Sequence, residues 1–330
     1  MAMTDTSVIS NRTAAYAVAE FLVRALPLLV FEKFGQTYPL PMNSTTVAKF
    51  RRFEALDATP VVLSEGVTPT AKFLSVTDVP ATLVQYGDVV AITDVVVDTC
   101  EDPTLKQAIE VLGEQAALMI EKTRYNVLVA GTNVYFANGN GRTDVNTPIT
   151  LNLQRKVIRA MKRQNAMPIT TIVKSTPAFN TQSIGSGFVA VCHPDCEADI
   201  RNLSKFVAVE NYGSMQAMEG EIGACENVRY ILSTVMTSWA NGGGSAGGHV
   251  VSTAGTKADV YPILFLAKNA YGIVPLKGKA AMTPSVLNPG VPSKSDPLGQ
   301  RGYVGWKSMQ TTVILNQAFM VRVEVAASAL

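Results

Sequence analysis

The chain has 330 residues, 47% of them apolar, with 28 basic and 26 acidic side chains and a formal net charge of +2. That length supports a sizeable core and one to three domains, and the balance excludes both a disordered chain and a strongly basic nucleic-acid binder, though not weaker contact with nucleic acid. Four cysteines (Cys100, Cys192, Cys196 and Cys225) are too few for a disulfide framework at this length, so folding is expected in a reducing cytoplasm.

In chain order, the first dozen residues are polar and lack a basic start followed by an apolar run, so no signal peptide is expected. No uninterrupted run of ~18 apolar residues occurs, so no spanning helix is expected either. Residues 14–34 read as an amphipathic helix broken near Pro27, with Glu20 and Arg24 placed to pair. Its polar face has too few basic residues for a membrane surface, so it should pack on protein, its own or a neighbour's.

Residues 45–99 are rich in β-branched and aromatic residues and are punctuated by DATP, EG and TP turns. They predict a long β-hairpin followed by a buried strand near 89–97. Phe50, Arg51, Arg52 and Phe53 mix charge and aromatic surface in adjacent positions. A two-stranded hairpin of this kind is marginal alone and suits a surface that meets another chain. A solvated hairpin is the bland alternative.

Residues 102–131 carry the strongest helix signal. Asp102 can cap the helix, Pro103 fits its first position, and Gly131 is expected to supply a left-handed end. Leu105, Ile109, Leu112, Ala116, Met119, Thr123 and Val127 form a stripe, with Glu110, Glu121 and Arg124 largely off it. At ~1.5 Å per residue this is a rod of roughly 40 Å, long for a compact domain. A second helix follows at 151–167, with Arg155, Arg159 and Lys162 lining one side. A solvated face is the favoured reading of those charges; phosphate contact or ion pairs to a neighbouring subunit are the alternatives. Strand and helix signals then alternate to about 277, and 278–305 reads as loop. The last strand, AFMVRVEVAAS, alternates as if half-buried, and is expected to pair with the strand before the long helix.

Chemistry is sparse. His193 with Cys192 and Cys196 does not have zinc spacing and reads as a structural turn. GGGSAG at 242–247 matches GxGxxG, but no helix follows, so it reads as a flexible surface loop rather than a phosphate cradle. Asp94, Asp98, Glu101 and Asp102 could bind a cation or serve acid–base chemistry, but a capped helix start explains them with less. Two histidines and no hydrolase signature give no catalytic residue, no metal site and no cofactor site.

The segments AEFLVRALPLLVFEKFG, FRRFEALDATP, EGVTPTAK, QYGDVVAITDVVVDT, LGEQAALMIEKTRYNVLVAGTNV, FVAVCHPD, GEIGACENVRYI and SDPLGQRGYVGWK, spread from about residue 14 to 324, resemble the N-four-type branch of the tailed-phage major capsid proteins with the Hong Kong 97-type fold. The resemblance implies an α+β fold. It has an N-terminal arm (1–44), an extended β-hairpin loop (45–84), a peripheral domain (85–149 and 278–330) with a spine helix at 102–131, and an axial domain (150–277). It implies a non-enzymatic shell protein that assembles through hexamers and pentamers, in the host cytoplasm, into the icosahedral head enclosing double-stranded DNA. The partners so implied are copies of itself, then portal, scaffold and decoration proteins, with non-specific contact to the packaged DNA and none to membrane. Only a dozen or so residues precede the first helix, so a separate scaffold, or none, is expected. Phe50, Arg51, Arg52, Phe53 and Lys72 are then the intersubunit candidates, and Arg155, Arg159 and Lys162 the nucleic-acid candidates. Some relatives form a Lys–Asn crosslink, but no pattern identifies a partner for Lys72. The alternatives are an encapsulin-like nanocompartment shell, separable by its protein cargo, and a soluble α/β enzyme, separable by a compact monomer with a saturable ligand.

Overall fold

The computed structural model describes residues 29–99, 104–173, 181–213, 216–276, 283–290, 292 and 296–330. The expected helix before residue 29, Cys100, and the Glu101, Asp102 and Pro103 start of the long helix lie outside the described residues. In chain order the elements begin with β1 (Gln36–Thr37), β2 (Val47–Phe53), β3 (Val76–Thr82) and β4 (Val84–Thr93), then α1 (Asp94–Thr99), α2 (Thr104–Val129) and β5 (Val134–Phe136). There follow α3 (Leu151–Arg163), β6 (Ile169–Val173), β7 (Thr181–Cys192), α4 (Glu197–Arg201), β8 (Phe206–Ala208), β9 (Glu221–Cys225) and β10 (Val228–Leu232). The chain ends with β11 (Val260–Leu266), β12 (Tyr271–Pro275), β13 (Thr283–Leu287), β14 (Arg301–Ile314) and β15 (Met320–Ala326).

Among the described residues these strands form three sheets. The largest runs β5-β15-β11-β7-β10-β9-β8, with β6 also paired to β7. A smaller one runs β1-β12-β14-β13, with β4 along β14, and β2-β3 stand as a two-stranded hairpin. One face of the large sheet is covered by α3 and α4, whose Val157, Met161 and Ile200 pack against Phe188, Tyr230 and Phe265. Phe31, Phe34, Tyr125 and Leu128 pack with Val189, Val191 and Leu264 in a separate core. Ile109, Leu112 and Ile120 of α2 instead pack with Ile92, Val304 and Trp306 of the small sheet. The long helix therefore joins the two sheets along its length, a rod of about 40 Å at the usual rise per residue.

Several expectations are corrected. The strand expected at 89–97 is β4, which is mostly exposed and ends at Thr93, where its partner β14 begins with Arg301. The next residues are helical, since Asp94 Oδ1 accepts the Val95 amide and such local side-chain bonds compete with a ladder. The strand that returns beside β4 is β14, while β15 lies between β11 and β5 inside the large sheet. Both faces of β15 are covered, so Glu324, expected on a solvated side, is fully buried and takes a bidentate bond from Arg142. β5 and β15 belong to the large sheet and β12 to the small one, so each sheet draws strands from both sides of the 149/150 and 277/278 boundaries.

Gly131 does not end the helix in a left-handed conformation. It makes room for Met320, whose Cε would lie 2.5 Å from any Cβ there. The glycine run at 242–247 is not a free loop. Gly243 is buried, its amide donates to the Ala258 carbonyl, and a Cβ would meet the Val145 carbonyl oxygen at 2.2 Å.

Candidate assembly surface

The hairpin pairs Val47 with Thr82 through to Phe53 with Val76. Phe50, one of the predicted contact residues, turns inward. Its ring meets Tyr38 edge-on at 5.8 Å, over Gly272 of β12, so it anchors the hairpin base on its own chain. Arg51 faces its cross-strand partner Asp78 with two hydrogen bonds of 2.8 and 2.9 Å. Those bonds hold the Asp78 carboxyl below the usual carboxylate range. Arg52 donates to Glu54, which also accepts from Thr77. Lys72 donates to the Asp57 carbonyl at 2.7 Å, tying the two arms of the loop. These cations pin the hairpin to itself, so charge alone is a poor description of its surface.

Beyond Phe53 the chain makes an extended loop, 54–75, that is exposed almost throughout. It is not polar. Leu56, Val61, Leu63 and Leu74 are each at least half exposed, and Val62 and Phe73 are both 92% exposed. Each such side chain would gain about 1.5–3 kcal/mol on full burial, and exposed apolar patches of this kind mark interaction sites. Sequence reasoning chose Phe50, Arg51, Arg52 and Phe53 at the base and Lys72 in the loop, and did not name these apolar side chains. The available signal was VVL and FL lying in a stretch with no complementary strand. A second bare apolar area lies on β4 and α1, where Val89 and Val95 are 59% and 62% exposed.

The basic side of α3 lies elsewhere. Thr150 caps the helix by accepting the Leu153 amide, and Val157 and Met161 are fully buried on the inner face. Outside, Arg155, Arg159, Lys162 and Arg163 line a groove with Glu226 and Asn227. Glu226 is held in the left-handed region (φ 52°) at the turn between β9 and β10 and binds Arg155. Arg155 is thereby committed to an internal ion pair, and Arg159, Lys162 and Arg163 line the groove beside it. Lys156 lies 5.5 Å from the Tyr135 ring.

The remaining candidates are structural. His193 Nδ1 accepts the Asp195 amide and so caps the short turn Pro194–Cys196. Cys192 and Cys196 are buried thiols pushed up by desolvation, the opposite of a reactive pair. No cluster of metal-ligating side chains occurs among the described residues.

A family model described as phage capsid protein matches residues 76–286. The chain belongs to the phage capsid protein family. This capsid protein is a structural protein of the virion, a major capsid protein that forms the head shell. Its fold is similar to the capsid of Ralstonia phage GP4, with a TM-score of 0.66 at 11% identity over 89% of this chain and 87% of that one. It is similar also to the capsid of cyanophage Pam1 (TM-score 0.64, 16% identity, 93% of each chain). The head structure of Helicobacter pylori bacteriophage KHP40 matches with a TM-score of 0.61 at 11% identity, over 92% of this chain and 90% of that one. Comparison with the curated proteins gave no match. The family match favours a phage head over the nanocompartment and the enzyme.

Proposed function

We propose that this capsid protein closes an icosahedral head through hexamers and pentamers, around double-stranded DNA, with the loop at 54–75 lying across a neighbouring copy. The observation that carries this reading is the exposed apolar tip of that loop, together with the bare apolar area on β4 and α1. Stable interfaces bury about 1,200–2,000 Å², and an extended loop reaches that area without a pocket. In this reading α2 is the spine of a peripheral region, and the large sheet with α3 and α4 is the axial region that meets its copies around a capsomer centre. Phe53 and Lys72 belong to the intersubunit surface with the loop tip, while Phe50, Arg51 and Arg52 shape its base. Arg159 and Lys162 are the cations best placed for weak phosphate contact. Portal, scaffold and decoration proteins are further partners of the same reading.

Deletion of residues 58–72 tests it. The variant is expected to keep the far-ultraviolet circular dichroism and melting behaviour of the subunit and to form no shells in negative stain. Normal shells from the shortened chain would refute the role of the loop.

A further inference from the structure

The first described residues, 29–34, are buried against α2 and β12 in an unusual way. Glu121 of α2 is fully buried, and its Oε1 accepts both the Val30 amide (2.9 Å) and the Phe31 amide (2.8 Å). The Tyr271 hydroxyl donates to the Phe31 carbonyl. Arg124, one turn along α2 and also buried, donates to Glu32 at 3.4 Å and to Gln310 of β14 at 3.0 Å. Among the described residues, Glu121 Oε2 has no hydrogen-bond partner, and neither does Arg124 Nε. Two carboxyl groups, Glu121 and Glu32, thus face one guanidinium in a water-poor site, with Tyr271 and Gln310 closing it.

We propose that Glu121 is a proton-controlled latch for residues 29–34: protonated, it holds Val30 and Phe31 on α2, and ionised, it lets the segment lift away. The geometry allows both states. A proton on Oε2 leaves Oε1 free to accept both amides, and Arg124 then balances Glu32 one to one. Loss of that proton leaves a net negative charge buried among apolar groups, which is relieved only when water reaches it. Burial accordingly pushes the Glu121 carboxyl up to about 7, against the pull of Arg124 and the two amides, with Glu32 adding to the rise. The opened segment exposes both carboxyls to water, where Glu121 returns to its ordinary value. Opening therefore releases a proton and becomes easier as pH rises.

The test is amide hydrogen exchange on the purified full chain, read on the peptide covering residues 29–34 and corrected for intrinsic exchange. Protection in the wild type is expected to fall about tenfold between pH 6 and pH 8, the linkage expected for one proton. Glu121→Gln keeps the accepting oxygen and cannot ionise, so its protection should be high and flat. Glu32→Gln, which removes one of the two facing carboxyls, should shift the fall to lower pH. Peptides of β7 should stay protected throughout. A flat wild-type profile, an unchanged fall in Glu121→Gln, or an equal loss in β7 would each overturn the latch. The readout is local and does not depend on shell formation.

Discussion

At the scale of single residues, burial decides which charges matter. Glu324 is fully buried between Arg142 and Arg322, and Arg142 lies 3.6 Å over the Trp239 ring. Removing one member of such a pair leaves an uncompensated charge, so Glu324→Ala should cost about 3–5 kcal/mol in urea unfolding. Arg51→Ala, at an exposed pair, should leave the midpoint where it is. Gly243→Ala should cost about 1–3 kcal/mol, because its methyl group has backbone on two sides. Glu121 adds a pH signature. Its folded value lies above the ordinary 4.5, so its contribution to stability is full below that value and is lost as pH rises through about 7. Glu121→Gln should therefore raise the free energy of urea unfolding at pH 8, by as much as about 3 kcal/mol, and change it little at pH 5. An equal gain at both values would show that the carboxyl does not titrate there.

At the scale of elements, α2 packs on both sheets, whereas the apolar side chains of the hairpin loop stay exposed. Leu112 is 4% exposed in the core under the small sheet, and Leu112→Ala should cost about 2–5 kcal/mol. Val62→Asp and Phe73→Asp should leave the melting temperature of the subunit unchanged while blocking assembly, as seen by light scattering. Loss of subunit stability in either variant would mean that the tip packs on its own chain. These contrasts also show which elements were legible in the sequence. The stripe from Ile109 to Val127 lies within α2, because a 3.6-residue period is a local signal, and the expected end at 131 falls two residues past Val129. The partner of a strand is not local. Nothing in MVRVEVA says that both faces will be covered, so β15 was assigned to the edge that β14 occupies. Glu121 and Arg124 lie just off the apolar stripe, and they are buried against partners distant in sequence, residues 29–34 and Gln310. The apolar residues of the loop went unnamed for a related reason: Val62 and Phe73 look like core until the fold leaves them outside.

For the whole molecule, the central claim is that a subunit with two well-packed sheets leaves an apolar loop that only another copy covers. The family and the α+β architecture were legible in segments such as QYGDVVAITDVVVDT and GEIGACENVRYI, whereas the boundary between the two sheets was not, since β5, β12 and β15 cross it. Electron cryomicroscopy of shells assembled from the purified protein tests this claim most directly. Residues 54–75 should lie buried against a neighbouring subunit, with Val62 and Phe73 in contact with its apolar surface. Density showing that loop standing free in solvent, or folded onto its own subunit, would contradict it.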